Sequence, residues 1–319
     1  DVSHQRVEIY TRAKSLALQI AARVFAGLDL GPQQARMNDA LVAALAMPGA
    51  RIPFRIPGTA YDRGWRGLRY AKAYLTSRVA SRREPSNEPH EAHRADLFSR
   101  LCQAENERGE RLSDSEVADN AVGALIAGHD TSTIAIAALA HELARHPAWQ
   151  DRVRADCLKA VEGSTSGWLD FDRAGTLDSV EWCVQETLRL YTPIRYLGRR
   201  SIRDFEFAGQ RVPGNAAIMV SLHHTHHDER VFDRASEFIP ERFAPASDSG
   251  RFDSFAWAPF GKGAHVCLGM GFAMLEIKAF FCALLSRYRL SVPSGHRFDV
   301  GGLPVSKPVD GVPLDLTRL

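Results

Sequence analysis

The chain has 319 residues and a formal net charge of +2, with 45% apolar and 24% charged residues. That is ordinary globular composition with room for a large core, and the near-neutral balance excludes a nucleic-acid-binding bias. Five cysteines (Cys102, Cys157, Cys183, Cys267 and Cys282) are scattered and odd in number, which fits a reducing, cytoplasmic setting better than a disulfide framework.

The chain opens Asp1-Val2-Ser3-His4, without an initiator Met, a signal peptide or an internal repeat. Ile9, Tyr10, Leu16, Leu18, Ile20, Ala21, Val24 and Phe25 predict a helix over 7–28, closed by Gly27 and Gly31. A shorter helix is expected over 36–45. Three prolines and two glycines make 48–59 a loop, and 61–83 is helical again. Residues 84–89 read as a polar surface turn.

A long helix is expected over 112–146, started by a capping box (Ser113 to Glu116) and stopped by Pro147. At ~1.5 Å per residue it runs on the order of 50 Å. Its middle, 121–140, is apolar enough to suggest a membrane span. Asp130 argues against one, because a central Asp costs ~2.5–3.5 kcal/mol in a bilayer. The helix therefore reads as a buried core element, with no membrane span in the chain.

Its polar interruption is Ala127-Gly128-His129-Asp130-Thr131-Ser132. Gly128 strips the side chain from one point of the helix wall, so that a ligand can approach the backbone. Asp130 and Thr131 set an acid beside a hydroxyl that can bond its own helix, a candidate proton relay.

On a helix over 178–191, Glu186 and Arg189 share a face and can pair. Short strands are expected at 196–202, 205–207 and 216–221, the last after the turn Pro213-Gly214-Asn215. Four histidines between His223 and His227, beside Asp228 and Glu229, have the composition of a metal site. Zinc would want fixed spacing on a rigid element and a second shell. The tail from Ser291 reads as a terminal hairpin.

Near the end, Phe260-Gly261-Lys262-Gly263-Ala264-His265-Val266-Cys267-Leu268-Gly269 delivers a cysteine to the start of an apolar helix running to Tyr288. The helix N-terminus favours a thiolate there. A nucleophile would need an oriented base, and His265 is two residues away at a loop–helix junction. Zinc would want a second ligand at close spacing, and there is no C-x-x-C or C-x-x-H. A lone axial thiolate to haem iron needs one cysteine and a flat apolar floor; a buried structural cysteine is the bland alternative. Phe260 is suited to pack against the sulfur, and His265 to reach an acidic haem edge.

Residues 260–269 resemble, position by position, the haem-binding loop of the cytochrome P450 family, F-x-x-G-x-[RH]-x-C-x-G. Residues 127–132 are similar to its A-G-x-[DE]-T-[TS] motif. Glu186 and Arg189 match E-x-x-R, and Pro240-Glu241-Arg242-Phe243 matches the later P-E-R-F. His226 and Asp228 fall in register with an H-R-D-P-type loop, a resemblance that favours a structural role for the histidine run over a metal site.

The resemblance implies a mainly α fold with a small β portion, in one catalytic domain over 1–319. It implies haem b with Cys267 as thiolate ligand, Phe260, Gly261, His265 and Gly269 around the cofactor, Arg199 against a propionate, and Gly128 in the helix wall. Asp130 and Thr131 would deliver protons. Glu186, Arg189 and Arg242 would form a buried structural knot, Ile194 to Leu197 would line the substrate side, and 48–59 would be a lid over the substrate entrance, with a plain connector as the alternative.

The implied reaction is insertion of one oxygen atom from O2 into an apolar small molecule. Electrons would come from a separate ferredoxin- or flavin-type donor, because no nicotinamide or flavin fingerprint is present. Lys262, Lys278 and Arg287 are either a solvated face or part of a docking surface for that donor. A peroxide-driven haem enzyme and an inactive fragment of the fold are the alternatives. Family members carry a further N-terminal part, with the first helices and most of the main sheet, that has no counterpart in residues 1–60, so an N-terminally incomplete chain is expected. The run Phe54 to Thr59 resembles bacterial relatives of the retinoid- and sterol-oxidising branch; no substrate follows from it.

Overall fold

The structure, a computed structural model, describes residues 4–84, 96–162, 164, 167–245, 253–302 and 304–319. Of the expected turn at 84–89, only Glu84 lies among them. The elements in chain order are β1 (His4–Glu8), α1 (Ile9–Ala26), α2 (Gln34–Ala46), α3 (Ala60–Arg83), α4 (Leu97–Gln103), α5 (Asp114–Arg145), α6 (Pro147–Val161) and α7 (Asp178–Leu190). Then follow β2 (Tyr196–Arg200), β3 (Phe205–Phe207), β4 (Gln210–Val212), β5 (Ala217–Ser221), α8 (Leu222–His226), α9 (Met270–Leu285), β6 (Tyr288–Ser291), β7 (Val300–Gly301), β8 (Lys307–Pro308) and β9 (Pro313–Arg318). The expected mainly helical class with a small β portion is what forms. The chain groups into two compact units, residues 11–133 and residues 1–10 with 134–319.

In the first unit, helical spacing brings Leu18, Ala21 and Ala22 of α1, Met37 and Leu41 of α2, and Ala71, Leu75 and Val79 of α3 into one buried cluster. Phe98 and Cys102 of α4 and Val117, Val122 and Leu125 of α5 complete it. The capping box forms as read: the Ser113 amide donates to Glu116 Oε2 at 2.8 Å, and the Glu116 amide donates to Ser113 Oγ at 3.3 Å. Thr59 caps α3 by accepting from the Asp62 amide at 3.2 Å. The backbones of α2 and α3 approach through glycine, since a Cβ on Gly67 would lie 2.4 Å from the Ala40 carbonyl oxygen.

Among the described residues α5 is the helix long and apolar enough to cross a membrane, and 67% of its most apolar window is buried inside the protein. Buried Asp130 and His129 interrupt that stretch, as expected of a core helix.

In the second unit, β9 runs antiparallel between β1 and β6. Leu316 lies opposite Leu290, and Val7 opposite Leu314. This corrects two expectations. Residues 7 and 8 belong to a strand rather than to the first helix, and the tail pairs with β1 as well as with β6. The sequence His4-Gln5-Arg6-Val7-Glu8 has little strand character alone; the β9 ladder and the Arg6–Asp315 pair at 2.7 Å hold it extended.

Strands β2 and β5 pair antiparallel with Arg199 opposite Ile218. The smaller β3–β4 hairpin pairs the expected strand at 205–207 with β4, which the sequence reading did not include. Asn215 takes the left-handed conformation (φ 63°) in the expected turn before β5.

The apolar helix α9 is tied down by polar side chains of α6. Arg154 donates to the carbonyls of Leu285 and Tyr288, both at 2.8 Å, meeting otherwise orphan acceptors beyond the helix end. Buried Gln150 donates to Leu143 O and Leu290 O and accepts from the Leu290 amide at 2.8 Å.

Replacing Gly67 with Ala should destabilise the chain by about 1–3 kcal/mol, because a helix backbone must retreat. Gly123→Ala, where a Cβ meets nothing within 4 Å, should stabilise it by up to ~1 kcal/mol. Urea denaturation of the two variants checks the opposite signs.

Candidate functional site

The cysteine loop begins at Ala258, whose carbonyl accepts from the Gly261 amide at 2.9 Å. Gly261 and Gly263 then adopt φ of 71° and 69°, which side-chain-bearing residues rarely hold, and the chain doubles back. The Cys267 amide donates to the Phe260 carbonyl at 2.8 Å, closing the loop just before α9 begins at Met270. A Cβ on Gly269 would lie 3.9 Å from Cys267 Sγ. Of the five free cysteines Cys267 is the exposed one; the other four are buried. Burial pushes the Cys102 and Cys183 thiols up, away from ionisation. Val266, Leu268 and Met270, near neighbours of Cys267 in sequence, are exposed apolar side chains. His265 is exposed at the loop tip, and the Phe260 ring packs 6.3 Å from that of Trp257. The Trp257 indole N–H in turn donates to the Gln185 carbonyl of α7 at 3.1 Å.

Glu186, Arg189 and Arg242 come together as expected, and all three are buried. Arg189 Nε and Nη2 grip the two Glu186 oxygens at 2.7 and 2.8 Å. Its other donors reach the carbonyls of His226 (2.7 Å), Ala235 (2.6 Å) and Glu237 (3.0 Å). Arg242 Nε donates to Glu186 Oε1 at 3.2 Å and its Nη2 to Arg234 O at 2.8 Å. The Ile239 amide donates to the same carboxylate at 2.9 Å. Two side chains of α7 thus gather residues 226, 235, 237, 239 and 242 around a charge pair shielded from water.

In the first unit, α5 carries the expected acid and hydroxyl. Asp130 is 1% exposed, with Lys14 Nζ of α1 at 3.4 Å and His129 Nδ1 at 3.9 Å. Thr131 Oγ1 donates to the Ala127 carbonyl at 2.7 Å, and Thr133 does the same to His129. The space a Cβ on Gly128 would need is taken by the Phe25 ring, 2.4 Å away, so the close approach that this glycine permits is used by α1.

The sequence profile of cytochrome P450 matches residues 34–300. The chain belongs to the cytochrome P450 family. It is 32% identical over 99% of its length to cytochrome P450 136 of Mycobacterium tuberculosis, and 27% identical over 97% to a beta-amyrin 28-monooxygenase of Panax ginseng. In each case it spans 63% of the relative's length. The solved structure of cyanobacterial CYP120A1 with retinoic acid bound superimposes with a TM-score of 0.87 at 25% identity, over 98% of this chain and 70% of that one. A cytochrome P450 heme domain, P450DA, matches at 0.85 over 99% of this chain and 69% of its own length.

The cytochrome P450 family implies haem on a cysteine thiolate, and the exposed sulfur at an apolar helix start fits that group. Other sequence expectations fare differently. Arg199 sits on β2 and donates to the neighbouring Gly198 carbonyl at 2.9 Å. Lys278 is not part of a surface: it is buried, with Nζ on Glu181 at 2.6 Å and on the Ala174 carbonyl at 3.1 Å. The histidine run forms α8 and its exit, and no cluster among the described residues could hold a metal ion. Two P450 residues escaped sequence reasoning. Lys14 shares the α1 surface with buried Ala13 and Ala17, a position where a lysine asks for a partner. Trp257 gave no pattern at all.

Arg189→Met removes all five donated bonds and leaves Glu186 with a weaker partner, so a loss of about 3–5 kcal/mol or failure to fold is expected. Arg242→Met leaves the bidentate pair intact and should cost less, about 1–3 kcal/mol. Chemical denaturation of the pair checks the order.

Proposed function

We propose that residues 1–319 form one catalytic domain of a haem-thiolate monooxygenase that inserts one oxygen atom from O2 into an apolar small molecule. The observation that carries this reading is Cys267, exposed at the glycine-turned start of an apolar helix while the other four cysteines are buried. When bound there, haem b would supply the activation of dioxygen and the oxidising power. Phe260, Gly261, His265 and Gly269 surround the sulfur in sequence, and Arg199 carries the charge for a propionate.

The residues of the chain supply position and proton control. The Cys267–Phe260 backbone bond fixes the loop that presents the sulfur just before α9. Asp130 holds its carboxyl out of water beside Lys14, whose side chain is 16% exposed and so leads from the buried acid towards solvent. Thr131 keeps its proton on the Ala127 carbonyl, from which a short rotation can redirect it. This acid–hydroxyl pair favours the O2-driven reading over a peroxide-driven one, which has less need of proton delivery.

Electrons would come from a ferredoxin- or flavin-type donor, in the cytoplasmic setting that five free cysteines suit. Apolar isoprenoids are the first substrates to try, since similar proteins are named for beta-amyrin oxidation and for bound retinoic acid.

The test is titration of the 319-residue chain with haem, followed by the spectrum of the reduced CO complex. A red-shifted, thiolate-type Soret band is expected, and Cys267→Ala should abolish it. A band unchanged by that substitution, or none in the parent, defeats the reading. Asp130→Asn should keep the band and lower turnover by about 10²–10⁴-fold.

A further inference from the structure

His226, at the C-terminal end of α8, is fully buried and makes three hydrogen bonds. Its carbonyl accepts from Arg189 Nη1 at 2.7 Å. Nδ1 lies 2.7 Å from Thr192 Oγ1, and that hydroxyl already donates to the Leu188 carbonyl at 2.7 Å. Thr192 can therefore only accept from the ring, so the proton is on Nδ1. Nε2 receives the Ala258 amide at 3.1 Å, which requires a lone pair on Nε2. Both neighbours thus fix the same neutral tautomer.

Ala258 is buried, and its carbonyl holds the Gly261 amide at the first turn of the cysteine loop. We propose that His226 is a positioning residue for Cys267: it is the link through which the Glu186–Arg189–Arg242 knot sets the base of the thiolate loop. This rests on the haem-thiolate reading for its purpose, but the linkage itself is a property of the polypeptide. The knot grips the backbone of His226 on one side, the end of α7 grips Nδ1, and Nε2 pins the loop two residues before Phe260.

The arrangement works only while the ring is neutral, because a proton on Nε2 would face the Ala258 N–H donor to donor. The surrounding charges keep it off. Burial is the first cause, followed by the Arg189 guanidinium, His227 and His223, and together they push the His226 pKa down to about 4. Glu186 is the nearby carboxylate, and Arg189 already binds it bidentately. In the unfolded chain the same imidazole titrates near its ordinary 6.5. Its contribution to stability is therefore complete above that pH and is lost as pH falls from 6.5 towards 4.

The experiment uses the full chain labelled with ¹⁵N-histidine, haem-free and as the diamagnetic ferrous–CO form, beside His226→Gln and His226→Phe. The ring nitrogens of His226 should show Nδ1 protonated and Nε2 unprotonated at neutral pH. The opposite tautomer, or a doubly protonated ring, overturns the proposal in whichever form it is seen. Hydrogen exchange at Ala258 and Cys267 should be protected in the parent and faster by about tenfold in His226→Phe, which leaves the Ala258 amide without its acceptor. His226→Gln, whose amide oxygen can replace Nε2, should restore protection and remove its decline below pH 6.5. Equal protection in all three chains, or an unchanged acid profile in His226→Gln, also overturns it. If the nitrogen and exchange results hold while no variant gives a thiolate-type band, the linkage stands and only the haem reading of this chain falls.

Discussion

Everything around the cysteine loop leans on a carboxylate held by two guanidinium groups out of water. Such a pair is not a cheap source of stability, because each ion surrenders its hydration on burial. Here the cost is offset by completeness. Arg189 has five N–H donors, and every one ends on a carboxylate oxygen or a main-chain carbonyl. A lysine could not do this, since a point charge with three rotatable donors cannot hold a planar fork and three separate backbone segments at once. The geometry defines where residues 226, 235 and 237 lie relative to α7, and so defines the path of the irregular chain that follows.

That irregularity explains the need. Among the described residues between α8 and α9 the elements are short helical turns, and no strand ladder organises them. The segment's order comes from side chains: Arg189 and Arg242 gather residues 226–242, His226 at the first end reaches Ala258, and Trp257 near the second bonds α7 and packs against Phe260. Each is large, buried or half-buried, and bonded to a main-chain group. Segments built this way are specified by tertiary contacts rather than by local propensity.

The same distinction separates what could be read from the sequence from what could not. The helices carried their own signals: the Ser113–Glu116 box, the glycines after α1, and the apolar faces of α1 and α5. The motif residues of the knot and the cysteine loop stood out because their spacing was fixed by chemistry. Strand β1 was invisible, because its extension is imposed by β9 from the far end of the sequence. The Asp130 partner on α1 was invisible for a like reason, as nothing near residue 130 announces residue 14. Lys278 reads as surface from the sequence because it is a charged residue on an apolar helix, whereas Glu181 and the Ala174 carbonyl hold it inside.

The unequal exposure of the five sulfurs has a practical corollary. Four thiols are shut inside packed helices and one stands in solvent at a helix start. An alkylating reagent applied to the native chain will therefore mark one position and leave the rest untouched. On the proposed haem-thiolate reading, a sulfur bonded to iron cannot also be alkylated, so the mass added per molecule would count how much of a preparation is empty.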